Sequence, residues 1–425
     1  MKKCAKLISK LDRKRARQFE KRRKTASPQG RNGSSERKAA KLPLTFPDSC
    51  RAIAAAPDIL KLFAETITAE GVIGEDANAK LMYLVVTSRR FDKPVSVALK
   101  GPPGGGKSSL AKRVLKHFPT SAYWELTSMS DRALNYLDQD MRHRVLVICE
   151  GDGFKSDKLD YAVRALLSEG CLIHQTVVDG LPVTKKVEGP TGLITTTTGH
   201  LHLENETRML SLHVAATEDQ SRAVLEAMVR QGSSGVRTEI GPWHDFQATL
   251  EQETPAVYLP FAEELAKLVD VSELRIRRDF EHVLTLIKAH AWLHQVNRKR
   301  SKKGRVIASF HDYEAVYMLV EEVLRGGNQA ISPAQTKVLE AVSRLTTGNI
   351  GVSGRQIADD LGLAQSQISR HLKELRALGR VQRSSNKVGV TAGWLPVSAP
   401  RRQVLPTPEE LGAAYREARK NGGVS

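Results

Sequence analysis

The sequence predicts an α/β protein in which a parallel sheet flanked by helices carries a phosphate-binding loop, followed by a helical region and a winged helix-turn-helix domain. Three observations predict it. Short apolar runs alternate with helical patterns from about residue 58 onward, as expected of a parallel sheet with helices on both faces. One of these runs leads through a glycine-rich loop into a helix. Towards the C-terminus, two short amphipathic helices flank a glycine turn and lead into two strand-like runs.

The chain begins with charge. Residues 1–42 hold 16 Lys and Arg against Asp12, Glu20 and Glu36, so +13 of the +18 net charge of the 425-residue protein lies there. A block such as Arg13-Lys14-Arg15-Ala16-Arg17 cannot pack against itself and reads as a basic arm. A solubilising tail and a polyanion-binding arm both fit; phosphate neutralisation would not distinguish DNA from RNA. The four cysteines are scattered without CxxC spacing, which excludes a cysteine-based zinc site and a disulfide framework and suits a reducing compartment. With no apolar run near the roughly 20 residues that span a bilayer, and no apolar stretch at the N-terminus, a cytoplasmic protein without membrane contact is expected.

After Pro43, Pro47 and Pro57, apolar spacing predicts two helices between Asp58 and Arg90 around a Gly71–Gly74 turn. Val95–Lys100 reads as a strand, Lys107–His117 as a helix, and Val145–Ile148 and Gly192–Thr198 as further strands. Cys171–Val178 and Leu181–Glu188 flank Asp179-Gly180, a pair that tolerates positive φ, so they read as a hairpin. From Val271 to Leu324 the pattern is helical, broken by Arg298–Arg305 with six basic residues in eight positions. The resulting domains are 1–42, 43–268, 269–328, 329–397 and a tail at 398–425, with a short helix over Pro408–Lys420.

Between Lys100 and the next helix, Gly101, Pro102, Pro103, Gly104, Gly105, Gly106, Lys107 and Ser108 fit GxxxxGK[ST] at every defined position, with Ser109 following. Glycines let backbone N–H groups face phosphates at the positive end of the helix. Lys107 would reach the β- and γ-phosphates, and the Ser108 hydroxyl would bind Mg²⁺, so ATP and Mg²⁺ are the expected cofactors. Hydrolysis needs a carboxylate to orient water. Glu150, at the end of the Val145–Ile148 strand, is the candidate base, and a surface acid is the plain alternative. Cys149 stands where P-loop proteins usually place the Asp that supports Mg²⁺, so Ser108 and the phosphates must hold the ion, helped through water by Glu150 or Asp152.

These residues resemble those of an AAA+ ATPase of the helicase branch that includes the minichromosome maintenance proteins, and of phage and mobile-element ATPases that accompany primases. The stretch Ile148–Phe154 resembles the helicase pattern I-D-E-F-D-K-M with its first acid replaced. The resemblance covers roughly residues 58–325. It implies a P-loop AAA+ sheet with a helical lid, sensor-1 contacts from Thr197 or Thr198, an arginine finger at Arg208 within Glu206–Leu212, and sensor 2 at Arg278. It also implies a homo-oligomeric ring such as a hexamer, a pore hairpin whose Lys185 and Lys186 grip single-stranded DNA, and a separate primase partner. Plain alternatives stand beside these roles: Arg208 could pair with Glu204 or Glu206, and the hairpin could be an ordinary surface ribbon.

In the C-terminal unit, Gln365, Ser366, Gln367, Ser369 and Arg370 are polar near the start of the second helix, where base edges of duplex DNA would be met. Arg383 and Lys387 suit phosphate contact from the wing. Winged helices also dock proteins. The expectation is an ATP-driven DNA motor of replication, a helicase or helicase-like initiator; an ATP-dependent DNA-binding regulator and a nucleotide-binding scaffold are the alternatives.

Overall fold

Val97–Lys100, buried at every position, forms β1, an interior strand of a sheet that also contains β2 (Tyr123–Leu126), β3 (Arg144–Ile148), β6 (Thr191–Thr197) and β7 (Leu210–His213). The computed structural model describes residues 44–126, 134, 140–149, 157–178, 181–198, 203–214, 217–234, 238–272, 275–327, 333–346, 351–377, 380–384, 393–397 and 403–421. The strand order is β2-β3-β6-β1-β7, and every pair is parallel. Parallel pairing leaves both faces to be covered by helices, which explains the continuous apolar character of β1 and β3.

Alternation along β3 divides the core. Val145 and Val147 pack with Leu110, Ala111, Val114 and Leu115 of the Lys107–Leu115 helix, whereas Leu146 and Ile148 pack with Leu159, Val163 and Leu166 of the Asp157–Glu169 helix. The first face also takes up the helices Ile59–Ala69, Asp76–Ser88, Gly241–Glu251, Ile276–Leu293 and Phe310–Gly327. The region expected to form a separate lid from residue 269 therefore shares the sheet's main hydrophobic cluster. Ile276–Leu293 contributes Val283, Leu286, Ile287, Ala289, Trp292 and Leu293 to that cluster.

β4 (Cys171–Val178) and β5 (Leu181–Glu188) form a separate antiparallel ribbon, anchored by Leu172 and Val187 in the second cluster. Its tip, Asp179-Gly180, lies outside the described residues, as does the basic arm.

The C-terminal segment is a strap. Leu405 and Leu411 are buried in the main cluster, and the helix Pro408–Asn421 packs on Ala262–Leu268 and Phe310–Gly327. Buried Glu321 accepts the backbone N–H groups of Val404 (2.9 Å) and Leu405 (3.0 Å), and the Tyr313 hydroxyl donates to the Pro406 carbonyl (2.5 Å). The tail expected at 398–425 is thus docked over its described part, and residues 333–397 are bracketed by elements of the main cluster. No helix among the described residues is long and apolar enough to cross a membrane.

Candidate functional site

The glycine loop leaves β1 at the carboxyl edge of the sheet. Gly104 (φ 75°) and Gly106 (φ 84°) adopt left-handed conformations in which a side chain would be strained, and the loop closes through the Gly105 N–H on the Pro102 carbonyl (3.1 Å). Lys107 is buried, and its ammonium donates to the carbonyls of Gly101 (2.9 Å) and Pro102 (2.6 Å), so its charge is held within the curl of the loop. Ser108 is half-buried; Ser109 is exposed. An ammonium held on two loop carbonyls at the start of a helix is a donor set complementary to a phosphate.

Register brings the other candidates to the same edge. β6 lies between β1 and β3, with Lys100 opposite Thr197 and Ile148 opposite Thr195. Thr198 follows directly and is exposed, at the same carboxyl edge from which the loop leaves β1. Cys149 is half-buried, and Glu150 and Asp152 lie outside the described residues.

Arg208 and Arg278 do not join this group. Both line a cavity of about 350 Å³ with Pro94, Ser96 and Thr191, at the amino edge of the sheet. Ser96 to Gly101 spans about 16 Å of strand at roughly 3.3 Å per residue, too far for either side chain to reach its own loop. Arg278, expected at the sensor-2 position, thus lies away from the loop of its own chain. Arg208 donates to Ser168 Oγ (2.7 Å) and the Glu204 carbonyl, and Arg278 to Thr207 Oγ1 (2.9 Å). Burial, and then the neighbouring Arg278 guanidinium, hold Arg208 below its ordinary value. Glu204 pairs with Arg164 while its charge also acts on Arg208, and Glu206 pairs with the buried Lys100. Arg275 is committed elsewhere, to Asp279 (3.1 Å) and the Met209 carbonyl (2.8 Å).

On the ribbon, Lys185 and Lys186 face opposite sides. Lys185 stands opposite His174; Lys186 stands opposite Ile173 and pairs with Glu188 at 2.9 Å, which holds its ammonium above its ordinary range. Ile173, Val177 and Leu181 are exposed along the same ribbon.

Three of the six basic residues in the run Arg298–Arg305 have structural partners, while Lys299, Lys302 and Lys303 are exposed. Arg298 pairs with Asp312 (2.7 Å), Arg300 donates to Gln295 Oε1 (2.6 Å), and Arg305 stacks on Tyr258 (4.9 Å). His290, His294 and Asp312 place ligand-type atoms within 4.8 Å of one another, but these atoms are already used. Asp312 accepts from His290, Arg298 and the Ser309 N–H, while His294 accepts from the Ile59 N–H (3.1 Å) and donates to the His290 carbonyl (3.0 Å). This is a buried ion-pair network.

In the C-terminal unit, Pro333–Leu345, Gly354–Leu361 and Gln365–Ala377 surround a core of Val338, Val342, Ile357, Ile368, Leu372 and Trp394. Ser353 and Gln356 form a capping box at the second helix, and Gly362 (φ 63°) ends it. Gln365, Ser366, Gln367, Ser369 and Arg370 are exposed on the third. β8 (Val381–Arg383) and β9 (Trp394–Pro396) pair antiparallel, and Val352 bridges to Trp394. Arg383 is exposed, with its guanidinium 3.9 Å from the Trp394 ring centre, while Lys387 lies outside the described residues.

Residues 334–383 match the family model of bacterial regulatory proteins of the arsR family. The C-terminal unit is a helix-turn-helix domain. It supports a DNA-binding role, and the match does not extend to the sheet. No curated protein matches the chain.

Sequence reasoning passed over Glu125 on β2 and the buried Lys100–Glu206 pair. Both depend on contact between elements that lie apart in the chain, which no contiguous pattern marks.

Proposed function

We propose that the chain is an ATP-hydrolysing protein that acts on DNA, a motor of the AAA+ kind working as a ring of identical subunits. The observation that carries the reading is the glycine loop Gly101–Ser108, curled at the carboxyl edge of a parallel sheet with Lys107 held on its carbonyls. ATP would take the place those carbonyls offer Lys107, with Mg²⁺ on Ser108; the ion would neutralise phosphate charge. Glu150, next after β3, would orient water, and Thr198 would contact the terminal phosphate. Arg208 and Arg278, two guanidinia sharing one cavity out of reach of their own loop, would supply positive charge to a neighbouring subunit's phosphates. The ribbon, with Lys186 on one face and Lys185 on the other, would touch single-stranded DNA, and the exposed start of Gln365–Ala377 would read duplex.

The test is steady-state ATP hydrolysis at fixed salt, alone and with single- or double-stranded DNA, with Lys107→Ala as the blank. Hydrolysis stimulated by single strands and abolished by Lys107→Ala is expected; equal hydrolysis by that variant overturns the site. A second reading, an ATP-dependent regulator that switches on duplex DNA without unwinding, draws on the match to regulatory proteins at residues 334–383. It predicts preference for one duplex sequence and little stimulation by single strands.

A further inference from the structure

At the end of β3 the chain carries Cys149, which offers no oxygen to a hard cation. Mg²⁺ is held by oxygen, commonly through one or two carboxylates together with substrate phosphates. A carboxylate nonetheless lies beside that position, contributed from the neighbouring strand. β2 pairs with β3 in register, Glu125 opposite Val147 and Leu126 opposite Ile148. Glu125 Oε1 lies 4.0 Å from Cys149 Sγ.

The faces agree. Tyr123 of β2 and Val145, Val147 and Cys149 of β3 all pack on the main cluster, the side of the sheet covered by the Lys107–Leu115 helix. Glu125, two residues after Tyr123, shares that side. The helix meets it: Lys112 Nζ lies 3.7 Å from Glu125 Oε1. Lys112 is four residues after Ser108, so both project from one helix face, a single turn apart. The carboxylate is about a third exposed, which leaves it open to solvent and to an ion's water shell.

We propose that Glu125 supplies the carboxylate supporting Mg²⁺ at the glycine loop, replacing across the sheet the acid that Cys149 lacks. This rests on the nucleotide-binding reading above. Glu125 acts as a positioning residue, holding the ion or its water beside Ser108, with the exposed Lys112 alongside it. Outer partners of a metal typically change its affinity by about 10- to 100-fold, which sets the expected effect.

The experiment titrates the full-length protein with a fluorescent ATP analogue in EDTA and in Mg²⁺, and counts bound Mn²⁺ by electron paramagnetic resonance in the presence of ADP. The wild type should bind nucleotide more tightly with Mg²⁺. Glu125→Gln should lose about tenfold of that gain, with affinity in EDTA unchanged. Cys149→Asp placed in the Glu125→Gln background should restore it, because the acid returns to β3. Lys112→Ala should keep most of the gain. An unchanged Mg²⁺ gain in Glu125→Gln overturns the proposal, as does a loss in Lys112→Ala equal to that in Glu125→Gln. If the wild type binds no nucleotide in EDTA or in Mg²⁺, the nucleotide-binding reading fails and this proposal goes with it; binding that Lys107→Ala abolishes but Glu125→Gln does not touch sinks the Glu125 assignment alone.

Discussion

Glu321→Ala should release the C-terminal strap while the sheet stays folded. Glu321 is 6% exposed, and its two oxygens accept the N–H groups of Val404 and Leu405, with Leu405 itself 1% exposed. Removing the carboxylate leaves two backbone donors without their charged acceptor in a site where water enters poorly. At the low end of about 1.5 kcal/mol for each hydrogen bond to a charged group, the local loss is about 3 kcal/mol. Converted through the usual tenfold per 1.36 kcal/mol, amide hydrogen exchange at residues 404–411 should accelerate by roughly a hundredfold, while amides of β1, β3 and β6 keep their protection. Glu321→Gln, which retains one acceptor oxygen, should fall between. Hydrogen exchange read by mass spectrometry on the two variants is the assay. Unchanged exchange over 404–411 in Glu321→Ala would refute the latch, and acceleration throughout the sheet would show that the strap is not a separable unit.

Acid should destabilise the protein before its carboxylates titrate. Burial, and then the His290 charge, push His294 down to about 3, and burial pushes His282 down to about 4. Both lie below the unfolded value near 6.5, so the stability they contribute is complete above that pH and is lost as pH falls below it, about 2 kcal/mol from His294 at pH 5. A urea midpoint that stays constant from pH 7.5 to 5 would count against this. Arg208→Ala and Lys107→Ala should each be inactive alone yet recover part of the hydrolysis when mixed, since one intact loop then meets one intact arginine; mixtures as dead as their parents argue against the neighbouring-subunit role. Arg370→Ala should weaken duplex binding to the full-length protein by about 1–3 kcal/mol if Arg370 meets a base edge, and a fluorescence-anisotropy titration with no change removes it from the interface.

What the sequence disclosed and what it hid divide along a physical line. The glycine loop, β1, β3, β6, the ribbon and the helix-turn-helix all announce themselves through patterns contiguous in the chain: a fixed spacing, a buried apolar run, an Asp-Gly turn, a capping residue. β2 and β7 are four residues each, Tyr123–Leu126 and Leu210–His213, too short for alternation to rise above composition. The helix Asp48–Ala55 was hidden among prolines. The helix over 408–421 was legible, but its docking was not, because the latch is a carboxylate 83 residues away from the amide that it binds. Arg208 and Arg278 could be picked out as candidates, yet their shared cavity at the amino edge depends on how β7 lies against β1, through the Leu210 N–H on the Ser96 carbonyl.

If Glu125 supports the ion as proposed, a motif read along the chain misleads about chemistry at Cys149. A motif presumes that each donor comes from its own strand position. In a parallel sheet the neighbouring strand is about 4.8 Å away, hardly more than the length of a side chain, so an acid on the adjacent strand can serve nearly the same point in space. Read along β3, Cys149 counts against metal binding. Across the register to β2, a carboxylate stands 4.0 Å from the cysteine, on the face shared with the helix that begins at Lys107 and Ser108. What a metal requires is an oxygen at a position, and the fold can deliver it from either strand. The pair of variants at 125 and 149 separates the two descriptions, because only the spatial one expects the acid to work equally well after being moved from β2 to β3.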